Sequence, residues 1–398
     1  MERYENYKDS GVEWIGEIPE GWEVKKLKYV ASLRSGNNLT SDQIKNSSEY
    51  PVYGGNGLRG FYNEFTHEGN FILIGRQGAL CGNINYASGK FWATEHAVVV
   101  QSVLNYKINW LGEVLRTMNL NQFSVAAAQP GLAVEAIYNL SIPYPSFQEQ
   151  TAIANYLDRK TAEIDALIAQ KERLIALYEE EKTAIINQAV TRGVDPNAKL
   201  KDSGIDWLGE IPDEWKVKKL KYVAILKSGN NLTSENINNG KYPVYGGNGL
   251  RGYYDKFTHN GDLILIGRQG ALCGNINYAK GKFWATDHAV VVQPRMNYKT
   301  IWLGEMLKAM NLNQYSVAAA QPGLAVEAIC NLSVPYPPLE EQTAIVRHIE
   351  TESARIDAKI AKTQRIIELQ KEYRAALISE VVTGKIKVSH LADRESDL

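Results

Sequence analysis

Two textures alternate along the chain. From Lys8 to Pro145, short apolar runs such as Phe71 to Ile74 and Ala97 to Val100 lie between clusters of Gly, Asn and Tyr, which predicts short strands joined by tight turns. Pro143, Tyr144 and Pro145 close that stretch. From Phe147 to about Thr191 there is no Pro or Gly, and apolar residues recur at Leu157, Ile164, Ile168, Ile175, Tyr178, Ile185 and Ala189. That spacing predicts one long helix carrying a coiled-coil stripe, interrupted by Lys171 and Lys182. About 45 helical residues extend ~65 Å, more than a globular unit needs for its own core, so the helix reads as a spacer. Gly193 and Pro196 end it. The strand-like texture then returns from Lys201 to Pro337, and a second stripe follows from Glu340 to about Thr383, with Ile349, Ile356, Ile360, Ile367, Leu377 and Val381.

The second half is a copy of the first. Leu73–Ala87 and Leu265–Ala279 both spell LIGRQGALCGNINYA, Tyr53–Gly60 and Tyr245–Gly252 both spell YGGNGLRG, and Ser124–Ile137 and Ser316–Ile329 both spell SVAAAQPGLAVEAI. Trp14 and Trp22 recur as Trp207 and Trp215. So long a period suits a duplicated domain and not a solenoid, whose units run to about 20–50 residues. The expected fold class is therefore α+β: two duplicated mixed α/β units joined by two long antiparallel helices, with pseudo-twofold symmetry and the C-terminus brought back near the N-terminus. The expected boundaries are 1–145 for the first globular unit, 146–198 for the first long helix, 199–337 for the second unit, and 338–398 for the second helix and tail. Whatever one copy binds, the other should bind as well.

Composition narrows the class. At 398 residues, with 44% hydrophobic and 22% charged positions, the chain has ample material for folded cores and no mark of disorder. No apolar run approaches the ~20 residues of a membrane span, and the chain opens on charged and polar residues, so the expected location is the cytoplasm, with no membrane contact. Cys81 and Cys273 are one position in two copies, and Cys330 aligns with Tyr138, so no disulfide framework is expected. Each copy shares one Cys and two His (His67 and His96; His259 and His288), short of the four ligands a structural zinc needs, so no metal is expected. The formal net charge is −1. Nucleic-acid binders usually carry a basic balance, so any grip on DNA must come from local patches or be shared with a partner.

Several motifs dissolve under their context. Gly55–Gly60 and Gly247–Gly252 match G-x-G-x-x-G, but a dinucleotide fingerprint must open an apolar helix, and the polar, aromatic FYNEFTHEG that follows reads as the far side of a glycine-rich hairpin. No Walker A loop, Gly-x-Ser-x-Gly elbow, His-Glu-x-x-His pair, EF-hand loop, or Asn-Pro-Pro-aromatic or Asp-Pro-Pro-aromatic run is present. The expectation is a chain that is not an enzyme in its own right and holds no cofactor.

What remains suits the reading of base edges. Arg76 and Gln77 sit between Gly75 and Gly78, and Arg268 and Gln269 repeat them. Arg pairs bidentately with guanine and Asn or Gln with adenine, so this pair is a candidate direct reader; the competing reading is an internal salt bridge on a plain hairpin. Asn37, Asn38, Asn56, Arg59 and Asn83, with their copies Asn230, Asn231, Asn248, Arg251 and Asn275, fall in predicted loops as base or phosphate contacts or as simple turn formers. Lys25, Lys26 and Lys28, copied as Lys218, Lys219 and Lys221, are candidates for phosphate contact or a solvated face. Glu95–His96 and Asp287–His288 place an acid beside a histidine, but with no nucleophile or metal signal nearby, hydrogen bonding is the expectation. Gln129, before Pro130 and Gly131, is a weaker candidate reader.

The opening SGVEWIGEIPEGWEVKKLKYV, the GRQG turn, and QPGLAVEAIYNLSIPYP leading into EQTAIANYLDRKTAEID, all echoed in the second copy, resemble the specificity subunit of Type I restriction-modification systems. The resemblance covers essentially the whole chain. It implies two target recognition domains, each reading half of a split sequence in double-stranded DNA. It also implies long helices that fix the half-site spacing and dock methyltransferase subunits, two of them, with restriction/translocase subunits joining the complex. S-adenosylmethionine, ATP and Mg would then sit only on those partners. In that family the two recognition domains usually differ strongly, whereas here they are close duplicates, so an interrupted palindrome is the expected target. The loop from Thr40 to Tyr50 is one residue longer than that from Thr233 to Tyr242, which leaves room for slight asymmetry. Two other readings stay open: the DNA-reading subunit of another restriction-methylation enzyme type, and a two-ended scaffold that binds protein or glycan.

Overall fold

The computed structural model describes residues 2–78, 80–124, 131–237, 239–270, 272–316 and 323–388. Gln129 therefore lies outside the described residues. The fold is α+β, and the chain divides into two compact units: residues 1–172 with 365–398, and residues 173–364. The division passes through both long helices, Phe147–Arg192 and Leu339–Val382.

In the first unit the elements are β1 Tyr7–Asp9, β2 Glu17–Pro19, β3 Glu23–Lys26, α1 Leu27–Val30, β4 Ala31–Ser35, β5 Tyr50–Gly54, β6 Gly57–Tyr62, β7 His67–Gly75, β8 Ile84–Ala93, β9 Ala97–Ser102, α2 Ile108–Thr117, α3 Val134–Tyr138 and β10 Ser141–Tyr144. A six-stranded sheet has the order β4-β9-β7-β8-β5-β6. Its pairs are antiparallel except for the short parallel contact of β5 with β8 at Val52↔Trp92 and Tyr53↔Ala93. Away from that sheet, β3 pairs with β10, the strand that leads into the first long helix.

Runs such as FILI and AVVV do not alternate with polar residues because both sheet faces are covered. In the second unit, Ile264, Ile266, Val290 and Val292 point into the large core with Trp215 and Trp302, while Leu265 and Val291 pack on the other face against Ala279, Phe283 and Ala285. A continuous apolar run is the mark of such a strand. The second copy repeats the first with its two longest strands broken: the strand matching β7 is split into His259–Asn260 and Leu263–Gly267. The strand matching β8 is likewise interrupted between Ile276–Ala279 and Lys282–Ala285, and with both breaks the ladder forms two four-stranded sheets.

Each unit is closed by the end of a long helix. In the second unit, Ala189 and Val190 are fully buried in the same core as Trp215, Ile345 and Ile349. In the first unit, Gly384 follows the second long helix, and a methyl group placed on it would lie 2.4 Å from Pro19 Cδ and 3.1 Å from the Trp22 ring. Only glycine fits there, since its φ of +76° is also unfavourable for any L side chain. The Tyr7 hydroxyl donates to Gly384 O at 3.1 Å and Lys387 N to Glu2 O at 2.9 Å, so the last described residues lie beside the first.

Within each unit the helix segments run antiparallel. In the first, Arg374 forks onto Asp165 (3.0 and 3.2 Å). In the second, Lys182 donates to Asp357 (2.7 and 2.9 Å) and Arg355 to Glu181 (3.1 Å). Lys182, which breaks the apolar stripe in sequence, thus sits where an acid meets it. These pairs are partly exposed and set register more than stability. Ile356, fully buried on the stripe, contributes through packing.

Stability follows that division of labour. Ile356→Ala should cost about 2–5 kcal/mol, Gly384→Ala more than about 1 kcal/mol, and Arg374→Ala less than about 1 kcal/mol. Urea unfolding of the full chain followed by circular dichroism reads all three, and a costlier Arg374→Ala than Ile356→Ala would contradict the packing account.

Candidate functional site

Three chain reversals meet at one end of the first unit's sheet. β5 and β6 pair through Gly54↔Gly57, which leaves Gly55 and Asn56 as a two-residue loop. This is the expected hairpin, and the strand that follows it removes any dinucleotide fingerprint. The second reversal runs from Gly75 to Asn83, closed by Gly82 N to Gly75 O (2.7 Å) and Gly75 N to Asn83 O (2.8 Å). The third joins β8 to β9 through Thr94, Glu95 and His96, with Thr94 N on Tyr53 O and Arg76 N on His96 O, both at 2.9 Å.

The reversals touch because glycines let them. A methyl group on Gly75 would lie 2.3 Å from Gly55 O and 2.8 Å from Leu80 O, so the hairpin tip rests flush on the Arg76–Gln77 turn only while Gly75 is bare. Asn37 joins from the end of β4: it bridges to Thr94, its N–H donates to Ala93 O at 2.9 Å, and its carbonyl accepts from Trp92 Nε1 at 3.2 Å. Gln77 forms an isolated bridge with Gly131.

Asn37, Asn56, Arg59, Arg76, Gln77 and Asn83 are thereby brought to one end of the sheet. The same contacts recur in the second copy, where Arg268 N donates to His288 O and Gly267 crowds Gly247 O. There a single depression of about 400 Å³ is lined by Gly247, Asn248, Leu250, Arg251, Gln269, Leu272 and His288. Asn38, Asn230, Asn231 and Asn275 are exposed nearby on the loops that carry their neighbours. The lysines are elsewhere: Lys25 and Lys26 lie on β3, Lys25 paired with Glu23 and over the Tyr144 ring, while Lys218 and Lys219 lie on the matching strand, Lys218 over Tyr336. Since β4 starts beside Ser102 and ends beside Val98, these lysines stand at the far end of β4 from the loop cluster.

The internal salt bridge considered for Arg76 finds no acid. Among the described residues, none of Arg59, Arg76, Arg251 and Arg268 is ion-paired; Arg268 Nη1 reaches Ser228 Oγ and Arg251 Nη2 reaches Ser234 Oγ, each at 3.3 Å. The unequal loops account for one difference. In the first copy the longer loop is stitched to β6 by Lys45↔Phe61, and in the second a short turn, Ser234–Asn236, carries the hydroxyl that holds Arg251.

Glu95 Oε1 lies 3.1 Å from His96 Nε2. The other shared histidines are packing residues. His67 and His259 stack on Phe91 and Phe283 and bond Thr66 and Thr258 at 2.8 Å. Composition and loop chemistry overlooked four leucines: Leu58 and Leu250 are 55% and 54% exposed, and Leu80 and Leu272 are both 44% exposed. Their only signal in sequence was identity between the copies. Thr94 and Thr286 hydroxyls and Asn85 and Asn277 amides are also buried without a hydrogen-bond partner in both copies, polar atoms this end of the sheet leaves unpaired.

Burial holds His67 and His259 below the usual imidazole range, so the folded state favours their neutral form. The unfolded chain then binds more protons below about pH 6.5, and stability contributed by the neutral rings, full above that pH, is lost as pH falls. Melting temperature should drop more steeply from pH 6.5 to 5 in the native protein than in a His67→Phe, His259→Phe variant. Parallel profiles would count against buried neutral rings.

Two stretches of the chain, residues 19–176 and 212–370, match the family model described as Type I restriction modification DNA specificity domain. The Type I restriction enzyme EcoprrI specificity subunit of Escherichia coli is 41% identical over 161 residues, covering 39% of this chain and only 40% of that protein. The Type I restriction enzyme MjaVIII specificity subunit of Methanocaldococcus jannaschii is 25% identical over 426 aligned residues, covering 94% of this chain and 95% of that one. A solved chain, from work on complex assembly and conformational transition of the type I R-M system, shares the fold with a TM-score of 0.65 at 17% identity, covering 93% of this chain and 99% of that chain. No helix among the described residues is long and apolar enough to cross a membrane.

Proposed function

Because the chain belongs to the Type I restriction modification DNA specificity domain family, matched once in each copy, we propose that it is the sequence-reading subunit of a Type I restriction-modification complex. Each copy would read one half of a bipartite target in double-stranded DNA. The observation that carries this reading is the loop cluster: forked side chains, free of acidic partners among the described residues, gathered at one end of a sheet and repeated letter for letter.

In this reading residues 1–145 and 199–337 are the target recognition domains. Arg76, Gln77, Asn56 and Arg59, with Arg268, Gln269, Asn248 and Arg251, address base edges, since guanidinium and carboxamide groups fit the major-groove patterns of guanine and adenine. Asn37, Asn38 and Asn83, with Asn230, Asn231 and Asn275, border them. Lys25, Lys26, Lys218 and Lys219, away from that cluster, take phosphates. The helices of 146–198 and 338–398 set the half-site spacing and dock two methyltransferase subunits, with restriction/translocase subunits completing the assembly. Catalysis, S-adenosylmethionine, ATP and Mg belong to those partners. A net charge of −1 supports sharing phosphate neutralisation with them.

Identical readers imply like half-sites. Binding selection from random duplexes with the full chain and a co-purified methyltransferase, followed by mapping of methylated adenines, should return an interrupted palindrome; two unrelated half-sites would overturn that part. Affinity without salt dependence would favour a scaffold. Arg76→Ala with Arg268→Ala should lose about 1–3 kcal/mol of discrimination per half-site, whereas Lys218→Ala should weaken selected and scrambled duplexes alike. Fluorescence anisotropy on both duplexes separates the two effects.

A further inference from the structure

Two exposed leucines, one on the strand after the hairpin and one on the glycine turn, face the same small depression as the polar readers. A scattered surface leucine is ordinary and calls for no explanation. Leu250 and Leu272 are different: they line one hollow of about 400 Å³ together with Asn248, Gln269, Arg251 and His288. Leu250 follows the hairpin loop and Leu272 sits on the glycine turn, so the fold assembles them across a gap in sequence. Their copies, Leu58 and Leu80, have matching exposure in the first unit.

We infer that this hollow is a subsite for an A·T base pair approached from the major groove, with Gln269 or Asn248 on the adenine edge and Leu250 and Leu272 on the C5-methyl of thymine. Gln77 or Asn56 with Leu58 and Leu80 do the same in the first copy. The inference rests on the proposed DNA reading and deepens it. An A·T pair presents adenine N7 and N6 beside thymine O4 and its methyl group, and an unmodified G·C pair carries no methyl along that edge. Carboxamides and aliphatic side chains in one hollow match that combination. A phosphate, by contrast, would gain nothing from the leucines.

Uracil tests the methyl contact without altering the protein. In the duplex recovered by selection, each thymine is replaced in turn by uracil and affinity for the full chain is measured. At one or more positions in each half-site the replacement should weaken binding about fourfold, the effect of removing one methyl from an apolar contact. A variant with Leu58→Ala, Leu80→Ala, Leu250→Ala and Leu272→Ala should bind thymine and uracil duplexes equally, with an unchanged melting temperature. A uracil series without effect, or discrimination that survives in the variant, overturns the inference and leaves the DNA reading intact. Leucine-dependent brightening of 2-aminopurine on binding would also overturn it, by making the leucines a wedge between bases. If selection returns no common sequence, the DNA reading fails and takes the inference with it.

Discussion

The last turns of each long helix must be buried by a globular part that the same helix does not follow. Ala189, Val190 and Gly193, which succeed the first copy, pack on the second copy's Trp215 and Pro212, and Gly384, which succeeds the second copy, packs on the first copy's Trp22 and Pro19. Pro19 and Trp22 leave little room for any substitution at Gly384. The first unit therefore joins two distant stretches of chain, residues 1–172 and 365–398, while the second takes the end of the helix that precedes it within the continuous stretch 173–364. Neither copy, taken with only its own helix, has the complete set of contacts.

That constraint holds the sheet, and the sheet holds the loops. Arg76, Asn56 and His96 are positioned by backbone hydrogen bonds and by a glycine contact that tolerates no Cβ, so their arrangement is a property of the framework more than of their own side chains. The chain as a whole is nearly neutral. Local placement of cations free of carboxylates then matters more than total charge, and the four arginines of the two loop clusters are such cations among the described residues.

Local pattern made much of this legible. The proline-free stretch expected from Phe147 to about Thr191 is the helix Phe147–Arg192, because 3.6-residue periodicity and its proline boundaries act within a few residues. FILI and AVVV were readable as strands, and GGNG as a hairpin. Contacts between remote positions were not. Nothing local indicates that Arg76 N meets His96 O, that Lys25 lies at the far end of β4 from Arg76, or that Leu58 stays in water while Leu33 is buried. Those outcomes depend on strand order, which periodicity does not encode. Lys182 looked like a flaw in the stripe because its partner, Asp357, lies in the other helix.

Letter-for-letter duplication does not make the two arginines that follow the hairpins equal. Arg251 is tethered to Ser234 Oγ, and Arg59 has no such tether among the described residues. A side chain already held loses less freedom when a ligand fixes it, and immobilising a long one costs about 0.5–1.5 kcal/mol. Twin sequences thus carry unequal entropic penalties. One missing residue in a surface loop is enough to make the second copy the more pre-organised of the pair.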